Sequence, residues 1–120
     1  MYDPDARFKK LVGLKILDAT IDKDRGGITF HTDKGDIGYV CEADCCSYTW
    51  IESVDDEAAL LGTVISVEQI PMPEGLTSEY QKQTDCVAYY GLKIITEQGR
   101  AVIDYRNDSN GYYGGSLEPR

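Results

Sequence analysis

Asp44-Cys45-Cys46-Ser47-Tyr48-Thr49-Trp50-Ile51-Glu52 is the stretch on which the fold turns. It holds the single tryptophan and two of the four cysteines of a 120-residue chain. Strand-like alternation stops here. Thr49-Trp50-Ile51-Glu52 fits a capping box, in which Thr49 accepts from the Glu52 backbone N–H and the Glu52 carboxylate reaches back. Ser53-Val54-Asp55-Asp56 repeats the pattern. Asp55, Asp56 and Glu57 then fall in a first helical turn, where negative charge suits the dipole. Ala58-Ala59-Leu60-Leu61 continues the helix and Gly62 ends it. On this reading the chain carries a short helical insertion.

The flanks read as strands. Upstream, Ile28-Thr29-Phe30-His31-Thr32 and Ile37-Gly38-Tyr39-Val40-Cys41-Glu42 alternate apolar with polar around the turn Asp33-Lys34-Gly35-Asp36. A four-residue loop pairs Ile28 with Cys41, Phe30 with Tyr39 and Thr32 with Ile37, which gathers the apolar side chains on one face. Residues 11–21 suit an earlier strand, with a short helix possible at its start, after a loosely held Met1–Lys10. Downstream, Thr63–Ile70 is rich in β-branched residues. A second hairpin joins Asp85–Thr96 to Arg100–Asn107 through Gln98-Gly99. It pairs Lys93 with Asp104, Ile94 with Ile103, Leu92 with Tyr105 and Ile95 with Val102. The expected architecture is one α+β domain over residues 1–120. It is a mostly antiparallel sheet of about six strands, a meander or half-open barrel, with the helical insertion.

Charge is more telling than composition. The net charge is −9, and between Lys34 and Lys82 there are ten acids and no lysine or arginine. The remaining residues carry 11 acids against 12 bases. One block therefore makes the acidic balance. Such a block serves as a solvated face or as a surface for a basic partner. With no basic stripe, direct nucleic-acid binding is not expected. No apolar run approaches a membrane span and the acidic start is unlike a signal peptide, so a cytoplasmic protein is expected. Tyrosine is in surplus, with nine copies against two phenylalanines, which suits an amphipathic contact surface.

Three chemistries come into question for these residues. Cys41, Cys45 and Cys46, with His31, Asp44 and Cys86 elsewhere, have zinc-ligand chemistry but no C-x2-C spacing and a single histidine. Cys45 or Cys46 before a helix start is placed for an acidic thiol, yet its neighbourhood is acidic and lacks a base. Paired carboxylates are not brought together by spacing. No catalytic residue, metal site or cofactor is therefore assigned. A contact surface is assigned instead to Tyr48, Trp50 and Glu52, together with Asn107, Ser109, Asn110, Gly111, Tyr112 and Tyr113. The last six form a Gly-rich loop with aromatic platforms and no nucleotide fingerprint.

Asp44-Cys45-Cys46-Ser47-x-x-Trp50-Ile51-Glu52, the later Leu60-Leu61-Gly62, and Arg106-Asn107-x-Ser109-Asn110-Gly111-Tyr112-Tyr113-Gly114-Gly115 resemble a family of small uncharacterised proteins from phages and bacteria. That family is marked by DCCSxxWIE and RNxSNGYYGG segments. The likeness runs from about Leu11 to Leu117. It implies a phage or prophage context and no particular reaction. The reading that joins these strands is a non-enzymatic acidic binding protein, phage-encoded, which blocks a host protein such as a defence or nucleic-acid-binding factor. A small-ligand or nucleotide binder is the second reading, and a thiol- or zinc-dependent enzyme the third.

Overall fold

The computed structural model describes residues 6–43, 47–73, 86–109 and 115–120. The chain is almost entirely antiparallel sheet. A 3₁₀ helix, Ala6–Leu11, is followed by β1 (Ile16–Ile21), β2 (Gly27–Thr32), β3 (Gly35–Ala43) and β4 (Tyr48–Asp55). A single helical turn, α1 (Glu57–Leu60), leads into β5 (Val64–Pro71), β6 (Cys86–Thr96), β7 (Gly99–Ser109) and β8 (Gly115–Pro119). One four-stranded sheet has the order β1-β2-β3-β8 and the other β4-β7-β6-β5. The second is a Greek key: β5, β6 and β7 run as a meander and β4 lies beside β7.

This overturns the α+β expectation of six strands and a helical insertion. Eight strands form two sheets, and the insertion shrinks to one turn. The physical reason lies in Thr49-Trp50-Ile51-Glu52. The capping box does not form, because Thr49 Oγ1 donates to Glu42 O at 3.0 Å and accepts from Asn107 Nδ2 at 2.9 Å. Thr49 and Ile51 face the core side of β4 while Trp50 and Glu52 face the other side, and all four are buried. Burial on both faces removes the polar half of the alternation by which a strand is recognised. The true helix start is Asp56, at φ 60°, whose carboxylate accepts from Ala59 N at 3.3 Å. The other strand missing from the sequence reading, β8, pairs with β3.

Both hairpins form, each two residues out of the expected register. Ile28 pairs with Tyr39, Phe30 with Ile37 and Thr32 with Gly35. Leu92 pairs with Ile103, Lys93 with Val102 and Thr96 with Gly99. The turns are thus Thr32-Asp33-Lys34-Gly35 and Thr96-Glu97-Gln98-Gly99. Each has two loop residues and then a glycine at positive φ, +112° and +137°. In each turn the threonine hydroxyl holds the loop: Thr32 Oγ1 accepts from Lys34 N and Thr96 Oγ1 from Gln98 N. A slip of two residues leaves every side chain on its face. Ile28, Phe30, Tyr39, Leu92, Ile94, Ile103 and Tyr105 accordingly all reach the core.

That core is continuous and draws on both sheets. Phe8 and Leu11 of the 3₁₀ helix are fully buried in it, beside Ile51, Leu60 and Leu117. Within the Met1–Lys10 segment expected to be loosely held, residues 6–10 belong to this helix and Phe8 is packed. Along one side the sheets are joined by the Lys15↔Thr63 bridge and the bonds Ile16 N→Gly62 O and Val64 N→Leu14 O, both 2.9 Å. On the other side, Arg25 covers the free edge of β4. Its carbonyl accepts from Ile51 N at 2.8 Å, its Nε donates to Ile51 O at 2.8 Å, and its Nη2 donates to Glu52 O. An edge covered in this way is not available for pairing with another chain. Among the described residues, no helix is long and apolar enough to cross a membrane.

Candidate functional site

The β4/β7 ladder brings the two unusual stretches together. Tyr48 pairs with Asp108, Thr49 with Asn107 and Trp50 with Arg106. On the outer face of this pair lies a polar network. Trp50 Nε1 donates to Glu52 Oε1 at 3.0 Å. Arg106 donates to Asp104 twice, Nε to Oδ1 at 3.0 Å and Nη2 to Oδ2 at 2.9 Å, and its Nη1 lies 3.8 Å from Glu52 Oε1. The guanidinium sits 5.1 Å above the Tyr89 ring, and Tyr48 stacks on Trp50 at 5.5 Å. The hydrogen bonds that Arg106 donates to Asp104 hold its pKa above the ordinary value.

These residues are scaffold. Trp50 has no exposed surface, Arg106 is 3% exposed and Glu52 and Asp104 are each 8% exposed. Burial takes Trp50 and Glu52 off the exposed surface. Tyr48 is half-buried, with its hydroxyl donating to Asp24 O at 3.3 Å. Asn107 is buried on the core side, where its Nδ2 holds Thr49; its Oδ1 meets no donor among the described residues. The Ser109 backbone ends β7, while Asn110, Gly111, Tyr112 and Tyr113 lie outside the described residues. The same holds for Asp44, Cys45 and Cys46.

Of the thiol and metal candidates, Cys41 is described. Burial, with Asp24 and Asp22 nearby, pushes its thiol up to about 12, so it is protonated and inert at neutral pH. His31 pairs with Asp36 near the hairpin turn, whereas Cys41 lies beyond Val40 at the other end. Among the described residues no three His, Cys, Asp or Glu side chains cluster as metal ligands. His31 does have one ordered setting that sequence reasoning missed. Thr20 Oγ1 is 2.9 Å from Nε2, and Asp36 Oδ1 is 2.9 Å from Nδ1. This hydroxyl–imidazole–carboxylate order matches that of a nucleophilic triad. It sits across three strands on an exposed sheet surface, where water competes for every bond.

A concave feature lies elsewhere. A cleft of about 300 Å³ opens between β1, β4 and α1. Ile21, Ile28, Val54 and Leu60 give it apolar walls, and its charged lining is Asp18 and Glu57. Spacing along the chain gives no hint of it, since Asp18 and Glu57 are brought together only by the packing of the two sheets.

A family model described as a domain of unknown function, DUF7448, matches residues 9–118. The chain belongs to that family. The match runs from the 3₁₀ helix into β8, so the DUF7448 domain takes in both sheets, the buried network and the cleft. No curated protein and no solved structure matches the chain. Within this DUF7448 domain, then, the network fixes how β4 and β7 pair, and the apolar-walled cleft with Asp18 and Glu57 is one concave feature of the surface.

Proposed function

We propose that this DUF7448 chain is a non-catalytic acidic binding protein for the basic surface of another protein. The observation that carries the reading is the β4–α1 corner, where Asp55, Asp56 and Glu57 are consecutive, exposed and without a lysine or arginine between Lys34 and Lys82. Clustered carboxylates steer and orient a basic partner. The resemblance to small phage and bacterial proteins supports a phage-encoded protein acting on a host defence or nucleic-acid-binding factor.

The test is capture from host lysate by wild-type protein and by an Asp55→Lys/Asp56→Lys/Glu57→Lys variant. A basic protein held by the first, released by salt and absent with the second is the expected result. Capture that ignores both salt and the charge change sinks the proposal.

A second reading, a small-ligand binder, draws support from the cleft volume, which falls at the low end of the range for ligand pockets, about 300–1,000 Å³. Thermal-shift screening against nucleotides and metabolites tests it. A stabilising neutral or anionic compound at the cleft favours this reading over the first.

A further inference from the structure

We infer that the cleft between β1, β4 and α1 receives one apolar side chain from a basic segment of the partner, with flanking lysines or arginines meeting Asp18 and Glu57. This rests on the binding-protein reading and adds its site and the chemistry of its occupant.

Three observations converge on the cleft. Its walls are aliphatic and its charged lining is acidic only, so it suits a ligand that is apolar at the centre and cationic at the edges. Its volume of about 300 Å³ has room for a large side chain and little more. The apolar surface also continues outward. Among the described residues the exposed large hydrophobics are Val12, Leu17, Leu61 and Ile65, at 41–59% exposure. Leu61 lines the cleft itself. Leu17 adjoins Asp18 of the cleft lining along β1, so exposed aliphatic surface borders the cleft. Isolated exposed aliphatics are ordinary, but exposed aliphatics at the edge of a pocket mark a contact area.

Charge selects the occupant. Asp18 and Glu57 line the cleft, and the exposed Asp55 and Asp56 directly precede Glu57. A second copy of a chain with net charge −9 would bring like charges together. A basic segment gains from the same field.

The probe is a synthetic nonapeptide with one central Phe flanked on each side by Lys and Gly, titrated into ¹⁵N-labelled protein. Expected are amide shifts centred on Ala19, Val54, Ala58 and Leu61, and at least about tenfold weaker binding when the peptide Phe becomes Ala. Exchanging its Lys for Glu should abolish binding. Two protein variants separate insertion from attraction. Ala58→Trp, at an exposed position of the lining, should fill the mouth and weaken binding about tenfold or more. Leu61→Asp adds negative charge, so tighter peptide binding by it shows that charge alone acts and overturns the inference. Shifts confined to surfaces away from the cleft, or equal affinity for the Phe and Ala peptides, overturn it as well. A salt-sensitive host partner that binds wild type and a stably folded Ala58→Trp equally leaves the binding-protein reading standing and removes this site.

Discussion

Arg106 and Asp104, two residues apart on the outer face of β7, share a two-pronged hydrogen-bonded ion pair at 2.9–3.0 Å. The pair is nine-tenths buried, and Glu52 and the Tyr89 ring complete its shell. A buried pair adds little net stability over apolar residues, but removing one partner strands the other charge. Asp104→Ala should therefore cost about 3–5 kcal/mol, whereas Asp104→Leu combined with Arg106→Met should cost markedly less. Urea unfolding followed by Trp50 fluorescence reads both, since Trp50 is fully buried and is the chain's one tryptophan. Equal losses for the single and double variants would show that packing, not charge, governs the site.

Arg25 holds the edge of β4 while its own backbone sits at φ 66°. Arg25→Gly relieves the backbone but removes both side-chain bonds. Arg25→Ala removes the bonds and keeps the strain. Both should speed amide exchange at Ile51, with Arg25→Ala the less stable by about 1 kcal/mol. Arg25→Lys, without the planar fork, should rescue only in part. Exchange at Ile51 unchanged in Arg25→Gly would remove the edge-capping role.

Gly35 is a clean test of the turn assignment. A Cβ there meets nothing within 4 Å, so only its φ of +112° resists substitution. Gly35→Ala should lower stability by about 1–3 kcal/mol with the fold unchanged. Gly38→Ala, without a positive φ, tests a different cost, because its Cβ meets the Arg120 side chain at 3.0 Å. No loss of stability in Gly35→Ala would mean that the hairpin closes with another turn.

Alkaline pH should unfold the protein earlier than ordinary tyrosines and thiols predict. Burial raises Tyr39 from 10.0 to about 12 and Cys41 from 9.0 to about 12. Tyr105 is raised as well, again chiefly by burial. Between the two values the unfolded chain loses a proton that the folded chain retains, so stability is complete below pH 9 and falls as pH rises towards 12. Melting temperature measured from pH 8 to 11 should drop, and Tyr39→Phe should flatten the drop. That variant loses the bond from the Tyr39 hydroxyl to Arg7 O at 2.7 Å, at about 1 kcal/mol. An identical alkaline slope in wild type and Tyr39→Phe would rule out Tyr39 as a contributor.

The Thr20–His31–Asp36 row separates an enzyme from a binder. On the binding-protein reading, hydrolysis of an activated ester by the protein should be no faster with His31 than with His31→Ala, and Thr20→Ala should change nothing. Burst-phase acylation at Thr20, detected by mass, would reverse that conclusion.

Much of the sheet was legible. β5, β6, β7 and the two inner hairpins carry β-branched alternation, and their core residues were identified even though each register was off by two. The reason is that face is set by odd-or-even position, whereas register is set by the turn. The turn depended on a glycine φ and a threonine hydroxyl that the pattern did not weigh. β4 differs from the expected helix start because a sequence that fits a capping box is also a good strand when both faces are buried. The choice was made by Asn107, 58 residues away, whose amide occupies the Thr49 hydroxyl that a helix cap would need. Assigning Lys93 to Asp104 failed in the same way: Lys93 pairs with Glu68 and Asp104 with Arg106.

The sequence by itself determined the acidic block, the hairpins and the apolar faces, because charge, turn residues and period-two alternation are local properties. Tertiary structure alone decided that Trp50 and Glu52 lie buried against Arg106, that Arg25 closes the edge of β4, and that Asp18 and Glu57 meet at one cleft. Each depends on which strands become neighbours, and that is settled by burial of the whole core and not by the order of residues within any one segment.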